Sequence, residues 1–99
     1  MDVISSGSFD RRILKLIDKE EYELLKQGLA QNPRKGYLIK GNGGVRGLRH
    51  AREEGGKSGG FRVIYYFADS RGVVYLIDVY PKNEKSALLR ERRMTLESL

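Results

Sequence analysis

The sequence predicts an α+β fold in which two N-terminal helices precede an antiparallel twisted sheet of about 3–5 strands and a C-terminal helix. In the first third of the chain, apolar residues recur at helical spacing. A glycine-rich middle third then leads into two runs of aromatic and β-branched residues. We expect residues 1–99 to form a single domain, because 99 residues are too few for a second independent core.

The first third has the pattern of a helical hairpin. Ser8 is a suitable N-cap for a helix over Phe9–Ile17, and Asp18 with Glu21 has the spacing of a capping box that begins a second helix. The Asn32-Pro33 pair ends the second helix, because the residue before a proline is disfavoured in the α region. The apolar stripe of both helices requires a sheet to cover it.

The strands follow where the glycines concentrate, since ten of the twelve glycines lie between Gly36 and Gly72. With a short edge strand near the N-terminus, the expected strands are Val3-Ile4, Tyr37–Ile39, Val45–Ala51, Phe61–Phe67 and Val73–Tyr80. Asp69-Ser70-Arg71-Gly72 has turn composition and joins the last two strands as a hairpin. Pro81 ends the last strand, and a final helix is expected over Ser86–Leu99.

The net charge of +6 indicates a partner that is negatively charged. In the middle third, only Glu53 and Glu54 oppose eight cations: Arg34, Lys35, Lys40, Arg46, Arg49, Arg52, Lys57 and Arg62. These cations lie in expected loops and strands rather than on one amphipathic helix, which favours nucleic acid over a membrane surface.

Several functional classes are disfavoured. The chain has no cysteine and one histidine, so we expect no metal and no cofactor. Gly56-Lys57-Ser58 suggests a P-loop, but Ala51 stands where its first glycine is needed, and a strand rather than a helix follows. No apolar run approaches the roughly 18 residues of a membrane span, and no signal peptide is evident, so a cytoplasmic protein is expected.

Arg62 is the most informative cation, because it lies within the clearest strand. It shares one face with Ile64 and Tyr66, and an arginine in such a strand requires an anionic partner. Two interpretations remain open: an ion pair with Asp78 on the neighbouring strand, or a phosphate whose approach is eased by the flexible Gly59-Gly60 pair.

Three segments in order resemble the RelE/HigB toxins of bacterial type II toxin–antitoxin modules, within the RelE/ParE superfamily. They are Gly43-Gly44-Val45-Arg46, then Lys57-Ser58-Gly59-Gly60-Phe61-Arg62-Val63-Ile64-Tyr65-Tyr66, then Tyr80-Pro81-Lys82-Asn83-Glu84-Lys85. The resemblance spans nearly the whole chain. It implies an endoribonuclease that cleaves mRNA on the ribosome, a cognate antitoxin that neutralises it, and higher-order toxin–antitoxin complexes.

The resemblance also implies roles for individual residues. Arg62 would stabilise the pentavalent phosphate, Lys82 would act near the leaving group or the phosphate, and Lys57 or Arg49 would assist positioning or proton transfer. The residues expected to bind RNA are Arg46, Arg49, Arg52, Tyr66, Tyr80 and Lys85. Tyr66 or Tyr80 would stack on a base, and the alternative is that they are ordinary core or surface tyrosines. Two positions depart from the family: Gly47 replaces a basic residue, and Leu88 replaces the tyrosine of some ribosome-dependent members. The identity of the general base and acid therefore stays open.

Two alternative functions remain. A protein of the same fold would inhibit DNA gyrase, as the related ParE toxins do, and would leave mRNA intact. An RNA-binding module would bind RNA with a steep salt dependence but would not cleave it.

Overall fold

A computed structural model describes residues 1–39, 43–50 and 60–81, and every structural statement below refers to these residues. In chain order the elements are β1 (Asp2–Ile4), α1 (Gly7–Ile13), α2 (Lys19–Gln31), β2 (Tyr37–Leu38), β3 (Val45–His50), β4 (Phe61–Ala68), a 3-10 turn (Asp69–Arg71) and β5 (Val73–Pro81). The α+β class is confirmed. The expected C-terminal helix lies outside the described residues.

The sheet is mixed rather than purely antiparallel. Its five strands are ordered β1-β5-β4-β3-β2, and the neighbours from β2 to β5 are antiparallel. At the other edge, β1 runs parallel to β5, so the expectation of an antiparallel sheet was wrong for this pair. Parallel neighbours cannot be joined by a tight turn, and here all the other elements lie between β1 and β5 in the chain.

Both helices begin at side-chain caps. Ser6, not Ser8, is the N-cap of α1, and its hydroxyl accepts a hydrogen bond from the Phe9 amide at 3.1 Å. Asp18 caps α2 as expected and accepts from the Glu21 amide at 2.8 Å. The helix α1 ends at Ile13 rather than at Ile17, because the chain then tightens into turns in which the Lys15 and Leu16 amides donate to the Arg12 and Ile13 carbonyls.

The hydrophobic core lies between the helices and one face of the sheet. Core residues on the helical side are Phe9, Ile13, Tyr22, Leu25 and Leu29 of the two helices and Ile17 of the turn between them, and their partners on the strands are Leu48, Phe61, Val63, Tyr65, Val74, Leu76 and Val79. The strand residues alternate along β3 and β4, as the period of a half-buried strand requires. We call the opposite side of the sheet, which carries the other alternate residues, the distal face.

A polar cluster fastens the segment after β1 to both helices. The Ser5 hydroxyl and the Tyr22 hydroxyl each donate to Asp10 Oδ1 at 2.6 Å. These hydrogen bonds favour the ionised carboxylate, and the pKa of Asp10 is lowered. Burial, followed by the hydrogen bond to Asp10, raises the pKa of Tyr22 to about 12.

Tyr65 connects the centre of the sheet to the segment between α2 and β2. Its side chain is fully buried, and its hydroxyl donates to the Pro33 carbonyl and accepts from the Gly36 amide, both at 2.8 Å. Burial raises the pKa of this phenol, which keeps the donor proton in place. These two hydrogen bonds fix where β2 begins at the edge of the sheet.

Within the described ranges, no helix has both the length and the apolar character needed to cross a membrane.

Gly36→Ala should destabilise the protein, because an added Cβ would lie 2.6 Å from the Gly47 carbonyl oxygen and 2.8 Å from the Tyr65 hydroxyl. We expect a loss of about 1–3 kcal/mol in the free energy of unfolding, measured by urea denaturation. Gly28→Ala adds the same methyl group within α2, where nothing lies within 4 Å, and should stabilise by about 0.5–1 kcal/mol. Equal effects of the two substitutions would contradict this account of Gly36.

The lowered pKa of Asp10 predicts a pH-dependent contribution to stability. A carboxyl whose pKa is lower in the folded state stabilises the fold above its unfolded pKa, about 3.9, and this contribution is lost as the pH falls through the folded value. Asp10→Asn removes the titrating group. The free energy of unfolding relative to wild type should therefore differ most above pH ~4 and converge in more acidic solution. A difference that stays constant across an acid pH series would refute the prediction.

Candidate nucleic-acid interface

The strand register arranges the distal face in three rows that cross the sheet. Residues directly opposite one another on neighbouring strands share a face, so each row can be followed from β2 or β3 to β5. The cationic row contains Arg49, Arg62 and Tyr80; the glycine row contains Tyr37, Gly47, Ile64 and Asp78; the tyrosine row contains Val45, Tyr66 and Tyr75.

Two arginines face each other in the cationic row. Arg49 on β3 lies directly opposite Arg62 on β4, an arrangement that places their Cβ atoms about 4.5–5.5 Å apart. Like charges at such positions repel each other and destabilise a sheet. Arg62 is half-buried, and its Nε atom is buried without a hydrogen-bond partner among the described residues. An anion bound between the two guanidinium groups would relieve both problems.

Asp78, the alternative partner considered for Arg62, is engaged by another arginine. Arg12 of α1 donates from Nη1 to Asp78 Oδ1 at 2.5 Å, and the same oxygen accepts from the Val79 amide at 2.9 Å. Asp78 is only 2% exposed, so this contact with Arg12 satisfies a buried carboxylate and attaches α1 to β5.

A β-bulge in β5 separates the cationic and glycine rows from the tyrosine row. Ile64 pairs with Asp78, whereas the next residue, Tyr65, pairs with Leu76, so Ile77 has no partner on β4. A bulge bends its strand and changes the direction of nearby side chains. Without it, the residues after Ile77 would lie on the opposite faces, and Tyr80 would not share a row with Arg62.

Two of the expected RNA-binding tyrosines lie on the distal face together with Arg49 and Arg62. Tyr80 is half-buried and lies directly opposite Arg62. Tyr66 is 37% exposed, and its ring stacks on that of Tyr75 with the centroids 6.5 Å apart. With Tyr37 of the glycine row, the structure therefore brings two cations and four tyrosines onto one surface.

Arg46 lies on the other face of β3, opposite the buried Tyr65. Its Nη1 atom donates to the Gly36 carbonyl at 2.7 Å and to the Arg34 carbonyl at 3.3 Å. These contacts support the segment that precedes β2. The other site residues expected from the sequence, Lys57, Lys82, Arg52 and Lys85, lie outside the described residues.

His50 connects the end of β3 to α2. Its Nε2 atom lies 2.8 Å from Glu21 Oε2, and its ring centroid lies 4.9 Å from that of Phe61. Because His50 follows Arg49 directly, this contact also positions the cationic row. Across the three described ranges, no group of three or more histidine, aspartate or glutamate side chains is arranged to hold a metal ion.

Tyr37 and Tyr75 belong to the distal face but were not among the candidate residues. Tyr75 lies on the expected strand Val73–Tyr80. Pairing this strand with Phe61–Phe67 as a hairpin would have placed Tyr75 opposite Tyr66 and so made it a candidate. The signal for Tyr37 is its position opposite Gly47, which becomes visible only when the register between β2 and β3 is known.

No protein-family model matches the chain. The fold is that of the RelE toxins. A mutant of the E. coli toxin RelE with two arginines replaced by alanine, in the free state, aligns with a TM-score of 0.62 at 15% identity, over 98% of this chain and 93% of that chain. The isolated E. coli RelE toxin aligns with a TM-score of 0.59 at 20% identity, over 95% and 96% of the two chains.

The same RelE mutant in complex with an antitoxin RelBc peptide aligns with a TM-score of 0.58 at 17% identity, over 92% of this chain and 90% of that chain. These alignments confirm the RelE-like architecture that the sequence resemblance implied. At such identities they establish the fold and leave the activity to be argued from the residues.

Arg49→Gln should stabilise the free protein, because it removes one of two like charges at directly opposed positions. We expect the free energy of unfolding to rise by about 0.2–1 kcal/mol at low salt, with a smaller gain at high salt as repulsion is screened. Arg34→Gln removes the same charge but breaks a 2.8 Å ion pair with Asp69, so it should bring no gain. A loss of stability in Arg49→Gln would show that the two arginines do not repel each other.

Proposed function

We propose that this protein is the toxin of a toxin–antitoxin system and that it is an endoribonuclease that cleaves mRNA on the ribosome. The observation that carries the proposal is the opposition of Arg49 and Arg62 on the distal face, with the buried Arg62 Nε lacking a partner among the described residues. Such a pair is unfavourable in the free protein but suits a phosphodiester, whose charge increases during cleavage. The RelE fold supports the same activity.

The reaction requires positioning and charge stabilisation. The 2′-oxygen of a ribose attacks the adjacent phosphorus, the bond to the 5′-oxygen breaks, and the products are a 2′,3′-cyclic phosphate and a 5′-hydroxyl. The proton of the 2′-hydroxyl leaves to a base, and a proton is delivered to the departing 5′-oxygen. Arg62 donates to the equatorial oxygens of the pentavalent phosphate, and Arg49 fixes the phosphate from the neighbouring strand.

Lysines complete the proposed site. Lys82 follows Pro81, the last residue of β5, and is assigned to the leaving group. Lys57 is assigned to positioning or proton transfer, which a lysine can perform when neighbouring cations depress its pKa. The proposal needs no metal or cofactor, because guanidinium and ammonium groups supply the positive charge.

A cognate antitoxin is the proposed protein partner, and higher-order toxin–antitoxin complexes are the assemblies expected of it. A structural relative, the E. coli RelE mutant, binds a peptide of the antitoxin RelBc. An acidic, partly disordered antitoxin segment would complement the charge of +6 and cover either the cationic row or an edge strand. The proposed activity lies in the cytoplasm, where translation takes place.

Arg62→Ala should abolish most of the activity, because it removes the donor nearest the phosphate. We expect mRNA cleavage to slow by about 10²–10³-fold, as is typical for the loss of one transition-state donor. The measurement is primer extension on an mRNA in a reconstituted translation reaction, paired with growth after induction. Arg71→Ala removes the same charge from the turn between β4 and β5, at the opposite end of the hairpin, and should cleave normally.

Unchanged cleavage by Arg62→Ala would overturn the catalytic assignment. Growth arrest by the wild type with intact mRNA and inhibited DNA supercoiling would instead select the gyrase inhibitor of the same fold. RNA binding that weakens steeply with salt, without cleavage on ribosomes or on free RNA, would select a binding module.

A further inference from the structure

The aromatic ring of Tyr37 lies on the distal face of the sheet, in the row next to the cationic row. Its ring lies against the backbone of β3 at Gly47, where an added Cβ would be 2.7 Å from Cζ and 2.8 Å from the hydroxyl of Tyr37. Tyr37 and Gly47 are directly opposite in the register. The absence of a side chain at Gly47 therefore allows an aromatic ring to rest on the strand.

The position of Tyr37 relative to the two arginines is set by the sheet. Arg49 follows Gly47 by two residues on β3, so the cationic row lies about 6.6 Å along the strand from the glycine row. A phosphate held at Arg49 and Arg62 and a base placed over Tyr37 would thus belong to the same nucleotide or to adjacent ones. Tyr37 is 45% exposed, so this surface is accessible.

We infer that Tyr37 stacks on one base of a single-stranded RNA whose phosphate is bound at Arg49 and Arg62. This inference rests on the proposed function and adds a residue that determines how the substrate is placed. An aromatic side chain beside cations matches a polyanion that carries flat π-surfaces, which distinguishes single-stranded nucleic acid from an acidic peptide. Covering a strand glycine with an aromatic ring also stabilises a sheet, so the test has to separate the two roles.

Binding is measured with the full chain and a fluorescein-labelled single-stranded RNA in which every 2′-hydroxyl is methylated, so that it cannot be cleaved. Tyr37→Ala should weaken binding by about 5- to 150-fold, the range expected for one base stacked on an aromatic ring. Tyr37→Leu keeps an apolar side chain over Gly47 but has no π-surface, and it should weaken binding in the same way. Tyr37→Phe should retain the wild-type affinity.

A spectroscopic test is available because the chain contains no tryptophan. Tyr37→Trp should bind the methylated RNA, and its fluorescence should be quenched on binding. Leu24→Trp places the same reporter at a 61% exposed position on α2, which packs against the other face, and should not be quenched. Replacing single nucleotides by abasic sites should weaken wild-type binding at one position, and Tyr37→Ala should be insensitive there.

The outcomes separate this inference from the proposed function. If the wild type binds the RNA, and Tyr37→Ala and Tyr37→Leu bind as tightly while Tyr37→Trp is not quenched, the stacking role is overturned and the nuclease proposal stands. If the wild type does not bind RNA, either free or on ribosomes, both proposals are overturned. Weakened binding by Ala and Leu together with quenched Trp fluorescence supports the stacking role even where Ala destabilises the fold.

Discussion

The hydroxyl of Tyr65 is the contact on which the arrangement of the proposed site depends. It is fully buried in the central strand β4, yet it reaches the Pro33 carbonyl and the Gly36 amide. An unpaired buried hydroxyl costs roughly 1–3 kcal/mol, so the chain after α2 is held at this point. Gly36 has to be a glycine there, because the Tyr65 hydroxyl and the backbone of Gly47 occupy the space of a side chain.

The hydrophobic core packs on the helical side of the sheet, whereas the residues of the proposed site lie on the distal face. On the helical side, apolar residues from α1 and α2 pack against alternate strand residues and exclude water. On the distal face, Val45 and Ile64 are also buried, but the opposed arginines and the exposed tyrosines contribute little to folding or oppose it. Proteins tolerate such local costs where a ligand later removes them, and the helical side provides the stability that makes this possible.

Local patterns in the sequence were sufficient for much of the fold. Alternation along Phe61–Phe67 correctly separated Tyr65 and Arg62 onto opposite faces of the sheet, because the period of a strand is a local property. Asp18 and Pro33 correctly marked the limits of α2. The N-cap of α1 was misplaced by two residues, since Ser6 and Ser8 are both suitable and the choice depends on how the segment after β1 packs.

Features that depend on pairing between distant strands were not accessible from the sequence. The parallel pairing of β1 with β5 joins the two ends of the described chain, and no local pattern encodes it. The bulge at Ile77 and the opposition of Arg49 and Arg62 are likewise properties of register. Arg46 shows the same limit. As one of the cations of the middle third it was expected to bind RNA, but its place opposite Tyr65 directs its guanidinium group to backbone carbonyls.

Gly47 connects these observations. The resemblance to RelE/HigB toxins leads to the expectation of a basic residue there, and a basic side chain would have added a third cation beside Arg49 and Arg62 on the distal face. Glycine avoids the repulsion that this third cation would cause, and it makes room for the Tyr37 ring over the strand. Positive charge is thereby concentrated in one row and aromatic surface in the next. Single-stranded RNA needs both kinds of surface, because its phosphates and its bases lie close together along the chain. It is therefore the ligand that fits these two neighbouring rows best.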